Sequence, residues 1–286
     1  MKQLRSASGG WKVRILIPLA VAALILLFTQ PGFFRLAILD RLELATLDYR
    51  FALRGPIPLD SSDVVIVEIG EDSFRSIPDR FPWPRSLYAH LLRNLKQAGA
   101  RAVAFDLILG NPDTQSPAND SLFRDAIHAT GIAVLGGKKE QDQLLYTTAS
   151  RDRNYGNIFY DVDSALGLVN IRPDDDGIYR SYSTAFYVDT SETGGVLLPT
   201  FGFAVLNRYF SFPPSTVPVP SDGNFLYAGR KLAAADAASV LINYYGPNGT
   251  FRHVAFHDVI DDETYNTTEE AASGTSISRR CPLTLF

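Results

Sequence analysis

The apolar residues of this chain fall into three rhythms. The first is an unbroken run. Ile15 to Thr29 carries no charge, and extension through Phe34 gives twenty residues before Arg35. At about 1.5 Å per residue such a helix matches a hydrocarbon core of roughly 30 Å, so residues 15–34 are predicted to cross a membrane. Pro18 lies near its start, where a helix tolerates it. A cleaved signal peptide and a buried core helix are the competing readings. Thr29 is followed by Gln30, Pro31, Gly32 and two phenylalanines rather than a small-x-small cleavage site, which favours an uncleaved anchor.

The second rhythm is helical. Between Arg35 and Arg54, Leu36, Leu39, Leu42, Ala45 and Leu47 share a broad face, and Gly55-Pro56 ends the segment. This helix is predicted to continue from the membrane and pack beside the following domain. Leu87, Tyr88, Leu91, Leu92 and Leu95 make a stripe between Pro84 and Gly99. Leu122, Phe123, Ala126 and Ile127 make another, with Asp120 as cap and Gly131 as stop. The third rhythm is short and β-branched: Val64 to Ile69, Ala102 to Phe105 and Ile132 to Leu135 read as buried strands. Strands alternating with helices at these lengths predict a parallel sheet with right-handed crossovers.

The second half is less regular. Gly167 to Ile171 and Ile178 to Val188 read as a hairpin turning at Pro173 to Gly177. Leu198 to Tyr209 reads as a helix with Pro199 in its first turn, Phe212 to Ser221 as a proline-rich loop, and Val240 to Tyr245 as a strand. From Asp261 onward the chain is polar and aperiodic. The expected fold class is α/β: a mainly parallel sheet with flanking helices, a hairpin-containing second half, and one N-terminal transmembrane helix in front.

Charge gives this layout an orientation. Lys2, Arg5, Lys12 and Arg14 precede the apolar run, and no acid occurs before Asp40. Setting those four aside from 27 basic residues leaves 23 against 31 acidic ones, so the body carries about −8. Basic flanks stay in the cytoplasm, so residues 1–14 are expected inside and 35–260 outside. An acidic body argues against nucleic acid, whose phosphates need a basic face. Cys281 is the one cysteine, so no internal disulfide forms, which leaves the redox compartment open.

Candidate chemistry concentrates where the predicted strands end. Glu68, Glu71 and Asp72 follow the first strand and Asp106 the second, at the edge where open parallel sheets bind ligands. These acids suit a hard cation, or the amines and hydroxyls of a ligand. The plainer alternative has Asp72 capping a turn and Asp106 holding loop amides. Trp83, between Pro82 and Pro84, is either a lid over this edge or an aromatic plug of the core, with Arg85 pairing an acid or an anionic ligand. The candidate ligand-binding set is Glu68, Asp72, Trp83, Arg85 and Asp106.

Other motifs fall away. Pro173 to Gly177 (PDDDG) fails as a calcium loop, because registering Gly177 sixth puts Arg172 first and Ser183 twelfth; it reads as a tight turn. His253 and His257 are four apart without a cysteine pair or HExxH. Gly131 to Lys139 lacks the Gly-Lys-Ser/Thr of a phosphate loop, no GxSxG or GxGxxG occurs, and Cys281 lies in the tail. The Asn248 and Asn266 sequons matter only in a eukaryotic secretory host. No catalytic residue, metal or cofactor is expected.

Taken together, LDYRFALRGP (Leu47 to Pro56), VVIVEIGEDS (Val64 to Ser73), FPWPRSLYAHLL with AGARAVAFDLIL, GLVNIRPDDDGIYR (Gly167 to Arg180), LPTFGFAVL (Leu198 to Leu206) and LINYYGPNGTF (Leu241 to Phe251) resemble a type-two CHASE domain. This is the extracytoplasmic sensor of bacterial cyclases and histidine kinases. The resemblance covers most of Leu42 to Ile260. It implies a membrane anchor, an outward-facing α/β sensor, then further membrane helices and a cytoplasmic output module. Ser278 to Phe286 (SRRCPLTLF) matches neither a further strand nor membrane helices, so the tail 261–286 is expected to mark a truncated or frame-disrupted product, or a fragment of a larger receptor.

The leading expectation is a non-enzymatic sensory ectodomain, single-pass at the bacterial inner membrane. Its partners would be a small-molecule or envelope ligand, the membrane and a second copy in a homodimer. A membrane-anchored metal-dependent hydrolase using the acidic cluster, and a module reading a periplasmic protein, are the rivals.

Overall fold

A computed structural model of the chain describes residues 10–29, 37–58, 62–138, 156–161, 166–190, 194–262, 264, 265 and 267. Contacts divide the chain into two units, Met1–Leu59 with Tyr244–Thr250, and Asp60–Asn243 with Phe251–Phe286. Cys281, Lys139, Asn266 and nearly all of the predicted tail lie outside the described residues.

The first unit holds α1 (Gly10–Thr29) and α2 (Ala37–Arg54). The predicted span coincides with α1 as far as Thr29; residues 30–34 lie outside the described residues. The side chains of residues 14–26 are exposed, Ile15, Leu16 and Leu24 among them. Among the described residues no helix is long and apolar enough to cross a membrane.

On α2 the half-buried positions are Leu44, Leu47, Asp48 and Phe51, three and four apart on one face. This corrects the expected stripe: Leu47 belongs to the covered face but Leu42 is 58% exposed, as are Tyr49 and Leu53 at 65% and 68%. Leu36 and the side chain of Leu39 lie outside the described residues. The covering segment is Tyr244–Thr250. The Phe51 and Tyr244 rings meet edge-on at 6.0 Å, and the Arg54 guanidinium lies 4.8 Å over the Phe51 ring. Arg54 also donates to the Tyr244 carbonyl, and the Ile57 N–H donates to the Tyr245 carbonyl at 2.7 Å. The strand predicted over 240–245 is therefore shorter, because Tyr244 and Tyr245 are used to hold the end of α2.

The second unit begins with β1 (Val65–Glu68), α3 (Glu71–Ser76), α4 (Arg85–Gln97), β2 (Val103–Phe105), α5 (Pro117–Thr130), β3 (Ala133–Gly137) and β4 (Leu166–Leu168). It continues with β5 (Ser181–Ser183), β6 (Ala185–Thr190), β7 (Gly194–Pro199), α6 (Phe201–Phe210), β8 (Val219–Ser221), β9 (Asn224–Tyr227), β10 (Arg230–Ala233), β11 (Ser239–Leu241), β12 (Arg252–Ala255) and α7 (Phe256–Ile260). Strands β2, β3 and β4 form a parallel sheet in that order, as the alternation of strands and helices predicts. Strand β1 pairs in parallel with β12 instead, with Val65 opposite Arg252 and Glu68 opposite Ala255. Its side chains alternate between half-buried and exposed, so it is a half-covered strand rather than the buried one expected.

The expected hairpin is also redrawn. Segment 167–171 contributes to β4, in the parallel sheet; β5 pairs with β11; the hairpin is β6 with β7. The PDDDG turn is present. The buried Arg180 guanidinium donates to Asp174 Oδ2 (2.8 Å) and Asp176 Oδ2 (2.8 Å), and Gly177 adopts φ +83°. That guanidinium holds the Asp176 carboxyl down at about 2. Pro199 ends β7 instead of opening a helix, and α6 starts at Phe201 behind Thr200. The proline-rich 212–221 segment ends in β8, an outer strand of the β10–β9–β8 sheet, where proline's missing donor is tolerated. On α5 the cap is Ser116, accepting from the Ala118 N–H (3.3 Å), with Pro117 in the first turn; Gly131 stops the helix at φ +61°.

The main core packs Leu87, Tyr88, Leu91 and Leu92 of α4 against Phe123, Ala126 and Ile127 of α5, with Phe105, Leu135, Phe256 and Val259. A smaller one gathers Phe203, Phe225, Tyr227 and Val240. Gly167 joins β4 to α6: a Cβ there would sit 2.5 Å from the Phe201 Cα and 2.8 Å from the Ala204 Cβ. Gly167→Ala is therefore expected to destabilise the second unit by about 1–3 kcal/mol, measured by denaturant unfolding. An unchanged midpoint would mean that β4 and α6 are free to separate.

Candidate functional site

The five nominated residues take two kinds of place. Glu68, Asp72 and Asp106 are exposed. Glu68 ends β1 and lies 3.1 Å from His253 Nδ1 across the β1–β12 ladder, and Asp72 stands in the first turn of α3, 3.6 Å from Arg75. Asp106 follows β2. Strands β1 and β2 belong to different hydrogen-bonded sheets, and among the described residues no group of three or more His, Cys, Asp or Glu side chains is placed to hold a metal ion.

Trp83 and Arg85 are inside. Trp83 is 1% exposed, with ring centroids of Phe256, Phe74 and Phe81 at 4.9, 5.4 and 5.5 Å. Its surroundings are those of a plug. Arg85 opens α4; its backbone N–H donates to Asp113 Oδ2 at 2.6 Å, and its Nε lies 3.9 Å from Asp120 Oδ1. Its guanidinium also donates to the Asn111 carbonyl (3.4 Å). Asp113 Oδ1 accepts from the N–H groups of Gln115 (2.7 Å) and Ser116 (3.1 Å), and Asp120 Oδ2 from that of Asp113 (2.9 Å). Burial pushes the Asp113 carboxyl up, but the N–H groups of Arg85, Ser116 and Gln115 outweigh it and leave the pKa below the usual carboxylate range. Asp113 and Asp120 thus tie the start of α4 to the start of α5.

Two further polar ties were not foreseen. His90 Nε2 lies 2.8 Å from Asp262 Oδ2, and Asn94 donates to Asp262 Oδ2 (2.9 Å) and to the Val259 carbonyl (2.9 Å), fastening α4 to α7 and to the residues just after it. Ser73 Oγ lies 3.2 Å from His257 Nδ1, whose Nε2 lies 3.5 Å from Asp258. The order is that of a Ser-His-Asp triad. Yet Ser73 is 0% exposed, and its hydroxyl also accepts the His257 backbone N–H at 3.4 Å. A nucleophile has to reach its substrate; this serine is enclosed and ties α3 to α7.

Asp113 had a readable signal, since Asp followed three residues later by Ser-Pro suits an Asx turn leading into a capped helix. Its bond to Arg85, 28 residues away, had none.

Two of the cavities among the described residues open on the second unit. One, of about 400 Å³, lies over the exposed side of α4 and α5 and is lined by Asp79, His90, Arg93, Asn119 and Tyr265 among others. The other, of about 660 Å³, is lined by Lys96 to Arg101 apart from Gln97 and Ala98, by Gly131, Ile132 and Val134, by residues of α6, and by Ser211, Phe212 and Pro214. Its lining includes residues that immediately precede β2 and β3, so it sits at the N-terminal edge of that sheet. The sequence points instead to the C-terminal edge.

These features define a mixed α/β domain with buried polar ties and open cavities. The CHASE2 domain profile matches residues 19–276, and the chain belongs to the CHASE2 domain family. CHASE2 domains are sensory extracellular domains of signalling receptors. No curated protein and no solved structure matches the chain.

Proposed function

We propose that this chain is the non-enzymatic extracytoplasmic sensing region of a membrane-bound bacterial receptor of cyclase or histidine-kinase type. The observation that carries the reading is the family match across residues 19–276. The apolar run 15–34 serves as the anchor in this reading. It is supported by the exposed apolar side chains along residues 15–26 and by the four basic residues in front of it. The exposed Leu42, Tyr49 and Leu53 of α2, seven and four apart, suit a seam with a second copy, so a homodimer is part of the reading. Glu68, Asp72 and Asp106 are surface contacts for an envelope ligand, while Trp83 and Arg85 act from inside the fold.

Topology tests it. Alkaline phosphatase fused after Ile260 is expected to be active in intact cells, and the fusion to stay in the membrane fraction after carbonate washing. An inactive fusion would remove the outward placement, and one released by the wash would remove the anchor.

A further inference from the structure

We propose that the cavity at the N-terminal edge of β2 and β3 binds a small organic anion, a carboxylate or sulfonate carried on an apolar frame. The proposal builds on the sensory reading only for the use made of binding. The rim carries Lys96, Arg101 and Arg208, and no carboxylate stands among the described lining residues; Ile132, Val134 and Phe212 give the cavity an apolar side. Its volume of about 660 Å³ is in the range of small-ligand sites.

Helix ends offer the plain explanation for these cations, and magnitudes decide how far it goes. The cavity meets the C-termini of α4, α5 and α6, each equivalent to roughly half a negative charge. Lys96 and Arg208 stand in the last turns of α4 and α6, where a basic residue is expected on that ground alone. The end carbonyls are moreover capped, with N–H groups of Gly99, Gly131 and Ser211 donating to Lys96, Ile127 and Arg208. Arg101 belongs to no helix, and it is the cation that the dipoles leave unexplained. Its guanidinium lies 4.3 Å over the Tyr209 ring, and the Tyr209 hydroxyl donates to Asp63 Oδ2 at 2.8 Å. Asp63, bound at the Tyr209 hydroxyl, offsets part of the positive charge and fixes the ring on which Arg101 rests. A pre-placed guanidinium beside an apolar wall suits an anion with a hydrocarbon or aromatic face.

The test uses the purified full chain in nanodiscs of zwitterionic lipid, titrated calorimetrically with benzoate, hexanoate and naphthalene sulfonate, and with benzyl alcohol as the neutral counterpart of benzoate. Saturable binding of at least one anion is expected, with benzoate at least about tenfold tighter than benzyl alcohol. Arg101→Gln should weaken the anion about tenfold while leaving the melting temperature and benzyl alcohol binding unchanged. Failure of all three anions to bind, equal binding of the neutral probe, or an unaffected Arg101→Gln variant would overturn the site. A chain that is anchored with its domain outside but binds no anion refutes the cavity assignment alone. One that binds benzoate yet lies inside the cell refutes the sensory reading alone.

Discussion

Trp83→Ala is expected to cost about 3–5 kcal/mol of stability, the range for truncating a fully buried aromatic residue. For a domain of this size that is a drop of roughly 10 °C in melting temperature. The physical reason is the packing around the indole, which stands in contact with Phe74, Phe81 and Phe256, and those rings would face a void. Trp83→Phe should cost much less, because the buried indole Nε1 has no hydrogen-bond partner among the described residues and its loss removes a desolvation penalty. Thermal unfolding followed by near-ultraviolet circular dichroism measures both. A Trp83→Ala protein as stable as its parent would reinstate the lid.

Asp113→Ala should be comparably damaging, at about 2–5 kcal/mol, because three backbone N–H groups lose their acceptor beside a buried guanidinium. The effect carries a pH signature whose sign follows from linkage. The folded carboxyl titrates below its unfolded value of about 3.9, so its contribution is full above that value and is lost as pH falls through the folded one. The stability gap between parent and variant should therefore be constant above about pH 5 and narrow as the solution is made more acid. A gap that does not change with pH would mean that the side chain contributes shape and not charge.

Local elements were readable wherever one segment decides its own structure. The stripe of Leu87 to Leu95 forms α4, Gly131 adopts the left-handed conformation that stops α5, and PDDDG makes its turn, because periodicity, stop residues and Asp-Gly turn chemistry act within a few residues. Partner choice was not readable. Val65–Glu68 has the composition of a strand in any sheet, and only the full chain pairs it with Arg252–Ala255, more than 180 residues later. Trp83 and Arg85 were singled out for their chemistry, but an isolated Pro-Trp-Pro loop does not say whether its indole faces solvent or core.

By itself, then, the amino-acid order determined the apolar run 15–34, the charge asymmetry around it, the helical and strand segments that follow and the family resemblance, since each is written in residues close together in the chain. Tertiary structure decided which strands pair and that Trp83 and Arg85 belong to the interior. It also decided that Asp113, Asp120 and Asp262 tie helices together, and that the cavity of about 660 Å³ opens at the sheet edge opposite the predicted one. Those features come from contacts between segments far apart in sequence, and such contacts exist only once the chain has closed on itself.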